Sequence, residues 1–405
     1  MNNKLIHNIL LTGGRAPVTL ELARFFTTAG YQVFVADSIK HHLCTNSRYV
    51  FKNFLVPQPR YNSTAYIQAL LEIVKQENIH LLIPTCEEIF YISHGLIELN
   101  KYCQVFAETV HILNQLHNKW EFICQVKKLD LVTPQTWLVK SKAEIIDILQ
   151  SSNSFHKLIL KPVYSRFASN IHILSPKNYQ LSVQEIEHIQ ISKNKTWVVQ
   201  EFISGKHYCS YSIVHQGKIT AHAAYPTVFT AGKGSCIYFE AVNHPQILQW
   251  VKTFVESLKF TGQIAFDFIE ANDILYPLEC NPRAISAIHL FQVSDKLETA
   301  FLNTTSEIIQ PQMYQRAMIS MAMLVYGLPD AIRYHQFRQW LKIFFSTKDV
   351  IFRISDVMPF FSIFIILWQS LLMSFKTGLS LIQVSTQDIE WDGENIELLM
   401  IDREN

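Results

Sequence analysis

Glycine is scarce in this chain, at 12 of 405 residues. Turns that cradle phosphate on backbone N–H groups usually draw on it. The first strand–helix turn, Gly13-Gly14-Arg15-Ala16-Pro17, lacks the third glycine of a G-x-G-x-x-G pattern, so dinucleotide binding has little to rest on. The stretch Val163 to Leu174 contains no glycine at all. Charge is also sparse, at 17% of residues, and the formal net charge is +1. Such a balance gives no reason to expect nucleic acid or an anionic surface as partner. Seven cysteines are scattered without a C-x-x-C pair, and reduced thiols in the cytoplasm are the expectation. Met1 to His7 is polar and the apolar run after it is short and ends in Gly-Gly, so a secretory signal is not expected. Finally, Val357 to Phe375 has no charge over 19 residues.

What is present describes large cores. Hydrophobic residues make up 49% of the chain, and 405 residues suggest two to four domains. Ile9–Thr12 reads as a strand, Val18–Ala29 as a helix and Tyr31–Asp37 as a second strand. A further helix (63–77), a strand (81–83) and the loop Pro84-Thr85-Cys86-Glu87-Glu88 follow. This is a Rossmann-like α/β arrangement. Farther on, Asn118-Lys119 opens a helix, and Leu158-Ile159-Leu160-Lys161-Pro162 is an apolar strand ending in a lysine. A lysine in that position needs an anionic partner to offset desolvation.

The most informative stretch is Glu279-Cys280-Asn281-Pro282-Arg283, with Asp267 twelve positions before Glu279. Gln263–Ile269 and Ile274–Glu279 alternate like strands around the turn-forming Glu270-Ala271-Asn272-Asp273. Such a hairpin brings Asp267 and Glu279 onto neighbouring strands, and Asn281 returns to the face of Glu279. Two carboxylates and an amide oxygen form a hard oxygen set suited to Mg2+ together with nucleotide phosphates.

The order of helix lysine, strand lysine, Gln200-Glu201 segment, Asp267 and Glu-x-Asn-Pro-Arg resembles the ATP-grasp superfamily over about residues 8 to 295. That superfamily includes carboxylate–amine ligases, biotin carboxylase and carbamoyl-phosphate synthetase. The resemblance implies an α/β and α+β multidomain fold. A Rossmann-like pre-ATP-grasp domain would span residues 1–112. Two ATP-grasp subdomains would span 113–200 and 201–300, and a largely helical extension 301–405. It also implies roles. Lys119 and Lys161 would reach ATP phosphates, and Gln200, Glu201, Phe202 and Ile203 would hold adenine. His207, or Tyr208, stands where a ribose ligand is expected. Asp267, Glu279 and Asn281 would bind Mg2+, with Mn2+ as alternative. Arg283, with Lys161, would act in catalysis at an acyl-phosphate transition state. Ser165, Arg166 and Ser169 would replace the missing glycines of the phosphate lid. Arg15, Glu87 and Glu88 are acceptor-side candidates, and Lys233 and His289 are further ones.

The implied activity is an ATP-dependent ligase joining a small carboxylate to an amine. A nucleotide-binding module without ligase chemistry, associated with a membrane through its tail, is the alternative. An NAD-dependent oxidoreductase would rest on Gly13-Gly14 and Asp37 alone. In the apolar segment 357–375, Ser362, Gln369 and Lys376 recur every seven residues. This stripe favours a helix packed on the catalytic body or on a dimer partner over membrane contact. The acidic, aromatic tail Asp388-Ile389-Glu390-Trp391-Asp392 has no assigned role.

Overall fold

The computed structural model describes residues 7–152, 155–166, 170–232, 234–394 and 396. Its N-terminal unit is a five-stranded parallel sheet in the order Lys52–Leu55, Gln32–Asp37, Asn8–Thr12, Leu81–Ile83, Gln104–Val105. The central strands are apolar on both faces and fully buried, as a sheet covered on both sides requires. Helix Pro17–Thr28 follows the first strand, with Pro17 in its first turn, where no N–H is needed. Packing accounts for both glycines of the preceding turn. Gly13 has φ +74, and a Cβ there would lie 2.7 Å from Thr85 Oγ1; one on Gly14 would meet the His42 ring at 2.6 Å. Asp37, the acid on which a dinucleotide reading depends, is held by Arg15 at 2.6 Å.

Two antiparallel sheets of four strands follow. The first runs Thr136–Val139, Trp197–Glu201, Leu158–Pro162, His172–Leu174. The second runs Lys218–Pro226, Lys206–His215, Gly262–Ala271, Ile274–Asn281. Helix Pro245–Leu258 lays Ile247, Trp250, Val251, Phe254 and Val255 into the core beneath that second sheet. Gly205 sits between the sheets where a Cβ would come within 2.2 Å of the Glu270 carbonyl oxygen, so no larger residue fits without moving backbone.

Beyond residue 300 the chain is mainly helical, but short strands Arg316–Met318 and Lys348–Asp349 extend a sheet begun by Tyr238–Glu240. Helix Met358–Thr377 differs from the expected packing. Only Pro359 and Ser362 on it are buried, and Phe360, Ile363 and Ile366 contact the core. What differs is the apolar remainder of the helix, most of which is left exposed. Ser362 bonds with Asn46 (3.2 Å), whereas Gln369 and Lys376 are exposed.

The helix is anchored just upstream by Asp356, which accepts from Arg24 (3.0 Å), Ser47 Oγ (2.8 Å) and Arg48 N (3.1 Å). Arg24 and Asp356 are both buried, and removing Asp356 leaves Arg24 with Glu21, at 3.7 Å, as its remaining counter-charge. Asp356→Ala is expected to lower unfolding free energy by about 3 kcal/mol, read from the urea midpoint. A change below about 0.5 kcal/mol would mean that Glu21 and the carbonyls of Val350 and Ile351, which also accept from Arg24, satisfy it without Asp356.

Candidate functional site

The hairpin of Gly262–Ala271 and Ile274–Asn281 puts Asp267 directly opposite Glu279, and Ala265 opposite Asn281. A bulge between Asp267 and Phe268 leaves Leu278 without a cross-strand partner. Its freed carbonyl accepts from Lys161 Nζ at 3.4 Å. Lys161 also donates to Gln200 Oε1 at 2.9 Å, and the Gln200 amide nitrogen donates to Thr136 Oγ1 at 2.9 Å. Helix Lys119–Lys128 starts beside this hairpin, capped by Asn118, whose side chain accepts from Trp120 N and Glu121 N. That start delivers Lys119 Nζ to Glu279 Oε2 at 3.2 Å and to the Ser165 carbonyl at 3.2 Å.

The electrostatics follow from burial. Burial would raise Glu279, but Lys119 and Lys161 outweigh it and hold its pKa at about 2. Asp267 is pushed well above its ordinary value, by burial and by the facing Glu279 charge. Burial draws Lys161 down to about 8. The pair therefore holds one negative charge where two carboxylates stand, and a further cation would let both ionise. With Asn281 Oδ1, these are hard oxygen donors, three in number and open to completion by phosphate oxygens, which fits Mg2+. Among the described residues no group of three His, Cys, Asp or Glu side chains converges, here or elsewhere. Arg283 stands at the end of the hairpin, donating to Asn281 Oδ1 at 3.3 Å.

The linker Glu201–Gly205 runs from one antiparallel sheet to the next. Glu201 is tied to Gln135 through its own N–H (2.8 Å) and its carboxylate (3.1 Å). The Phe202 ring is partly exposed, with Lys157 Nζ 5.4 Å from its centroid. Ile203 is half-buried. His207 lies on strand Lys206–His215 opposite Ile269 and is exposed, while Tyr208 packs edge-on against His244. Ser169 and Lys233 fall outside the described residues. His289 is buried against Glu21 and Phe239, a core position.

The acceptor side is where the sequence said least. Glu87, buried, takes an ion pair from Arg166 and lies 3.8 Å from Arg283, and with the bond from Gln263 Nε2 to the Pro84 carbonyl (2.8 Å) it joins the hairpin to the N-terminal unit. Burial would raise Glu87, but Arg166, His117 and Arg283 bring it below its usual value. Glu88 serves the turn instead, accepting from Thr12 Oγ1 (2.6 Å) and from Thr85 N and Cys86 N (3.1 Å each). Arg166, expected at the phosphate lid, is engaged here with Glu87, the Trp391 carbonyl and Asp392 (2.9 Å).

The tail reaches the same place. Asp388 pairs with Arg15 at 2.7 Å, and Asp392 and Glu394 with Arg60 at 2.6 and 2.9 Å. Trp391 is buried, stacked on Phe90, with its indole N–H donating to Asn114 Oδ1 at 3.2 Å. Gly393 lies so near Tyr164 that a Cβ would come within 2.7 Å of the ring. The tail thus straps the loop after Lys161 to the N-terminal unit. Arg60 and Trp391 carried no sequence signal beyond the tail's composition.

Residues 116–287 match the profile of the ATP-grasp domain family. No curated protein matches the chain. Among solved structures, N5-carboxyaminoimidazole synthetase from Staphylococcus aureus complexed with ADP has 14% identity and a TM-score of 0.62, covering 82% of this chain and 88% of that one. L-amino acid ligase from Bacillus licheniformis has 13% identity and a TM-score of 0.56, covering 75% and 77%. Phosphoribosylamine–glycine ligase from Thermotoga maritima has 13% identity and a TM-score of 0.57, covering 75% and 78%. These likenesses are of fold.

Trp391→Ala is expected to release the strap, with a local loss of about 3 kcal/mol or more. Amide exchange over residues 385–394 should then rise by two orders of magnitude or more, with exchange of the strands Asn8–Thr12 and Leu81–Ile83 unchanged. Unaltered exchange in the tail would show that the arginine–carboxylate bonds hold it alone.

Proposed function

We propose, from the membership of residues 116–287 in the ATP-grasp domain family, that the chain is an ATP- and Mg-dependent ligase. It activates a carboxylate as an acyl phosphate and passes it to an amine. The observation that carries this reading is the setting of Lys161. It is buried, and its hydrogen bonds go to a neutral amide oxygen and a carbonyl, as expected of a cation kept for an incoming anion. Beside it stand the facing carboxylates Asp267 and Glu279.

In this scheme Asp267, Glu279 and Asn281 hold the metal, which when bound neutralises charge on the β- and γ-phosphates. Lys119 swings from Glu279 toward phosphate, and Lys161 meets the same group from the strand. A substrate carboxylate oxygen attacks the γ-phosphorus in line as the bond to ADP breaks. The amine then attacks the acyl carbon, the bond to phosphate breaks and the nitrogen loses a proton to solvent. Arg283 faces the transferred phosphate and offsets charge developing on it. Positioning and charge neutralisation supply the acceleration, and no nucleophilic side chain is needed. The backbone of Glu201–Ile203 holds the adenine edge, with Phe202 beside the ring.

Two outcomes test this. ADP release from Mg-ATP, measured against pooled amino acids, small carboxylates and amines, should depend on one pool. It should fall at least about a hundredfold in Glu279→Ala with circular dichroism unchanged. Release that persists in the variant sinks the assignment.

The second concerns pH. Lys161 is charged below about 8 and neutral above it, and only the charged form attracts phosphate. In metal-free buffer, where no cation displaces the proton of the Asp267–Glu279 pair, ATP affinity should therefore fall as pH rises from 7 to 9, and binding near pH 8 should take up protons, seen by calorimetry in two buffers of different ionisation enthalpy. Lys161→Met should abolish the proton uptake. Equal uptake in that variant would move the titration to another group.

A further inference from the structure

Helix Met358–Thr377 has a mean hydropathy of 1.8 over its 18-residue window, yet only 11% of that window is buried. Phe361, Phe364, Trp368, Leu371 and Phe375 are all exposed, Trp368 by 64% and Phe375 by 85%. At 3.6 residues per turn these positions fall on one arc, and the exposed apolar side covers about half the circumference. The body side carries Pro359, Ile363 and Ile366. Ser362, Gln369 and Lys376 run along one edge between the two. A second helix would cover a narrower stripe than the one left open here.

We propose that this face docks on an anionic lipid bilayer, with the helix lying in the plane of the membrane surface. Charge selects the occupant. Between residues 331 and 376 the chain has six cations (Arg333, Arg338, Lys342, Lys348, Arg353 and Lys376) and two carboxylates. Both carboxylates are consumed inside the fold, Asp349 by the N–H groups of Ser320 and Ile351 and Asp356 by Arg24. Of the cations only Arg353 has an ion-pair partner among the described residues, Glu21. The net charge of +1 for the whole chain hides this local excess. Apolar and basic groups also meet in a groove of about 640 Å³ before the helix, where Phe352 and Ile354 lie beside Lys348 and Arg353. Phe352 packs edge-on against Phe360 of the helix, ring centroids 5.4 Å apart. A basic stretch of chain that leads into an apolar helix face suits the surface of an anionic leaflet.

Geometry decides between lying on the membrane and crossing it. Twenty residues of helix span about 30 Å, enough for a hydrocarbon core. Both ends, however, return to the same segment of the N-terminal unit. Asp356 before the helix is bound to Arg24, and Asp388 after it to Arg15. Residues 378–387 include only the six-residue helix Leu381–Thr386, and an unpaired return strand through lipid is not tolerated. The helix therefore contacts one leaflet only.

The test is co-sedimentation of the full chain with vesicles of phosphatidylcholine alone or with about one third phosphatidylglycerol. Binding is expected to the anionic vesicles and to weaken with salt. F364E/W368E should lower it at least about tenfold. R338E/K342E should remove the preference for anionic lipid by a similar factor. Thermal stabilisation by Mg-ADP should be unchanged in both variants, which separates this idea from the ligase assignment. Absence of binding to either vesicle overturns the proposal. So does a wild-type dimer in analytical ultracentrifugation that F364E/W368E converts to monomer, since the face would then join two copies. Resistance of vesicle-bound protein to extraction at alkaline pH would overturn the in-plane geometry.

Discussion

Repulsion between Asp267 and Glu279 is the constraint around which the central half of the chain is arranged. Facing each other on paired strands and half-buried, they do not readily both ionise without cations. Every feature nearby answers that need in part. Helix Lys119–Lys128 begins where it does because Asn118 caps it, and that start supplies Lys119 to Glu279. A bulge frees the Leu278 carbonyl to steady Lys161. What is left over is one proton on the pair and a lysine drawn down to about 8, a site that a cation and a polyanion would complete together.

A second network, built of arginines, holds the halves of the molecule to one another. Arg15, Arg60 and Arg166 come from three separate places in the chain and converge on carboxylates of residues 388–394. Glu87 joins this network to Arg283 and so to the hairpin. The apolar helix lies between Asp356, held by Arg24, and Asp388, held by Arg15. Its exposed side and the strap are therefore separated by only a short connection, residues 378–387. A shift of the helix has a direct mechanical route to the loop that follows Lys161.

The hairpin was legible in sequence because a turn cluster separates two alternating runs, and period 2 fixes which side chains share a face. Lys161 was legible for a local reason as well, at the end of an apolar strand, whereas Lys119 was marked only by its place in the order of motifs. The first sheet follows from three short apolar runs spaced by helices. The strap was not legible. An aspartate bound to an arginine 373 positions away is written like one facing water, and Trp391 sits in a polar stretch that carries no period. The seven-residue stripe of helix Met358–Thr377 misled for a different reason. Periodicity reveals that an edge exists and does not reveal whether that edge faces the body or bounds a face left open.

The distance between Arg15 and Asp388 also sets an order of events during synthesis. At about 5–20 residues per second, Arg15 emerges roughly 20 to 75 seconds before the carboxylate that completes its bonding. Asp37 is at hand early, and Glu87 waits for Arg166 only briefly. Arg60 has no partner among the described residues except those of the tail. The nascent chain thus folds with its cleft unstrapped, and closure comes last, after every other element of the cleft has been made.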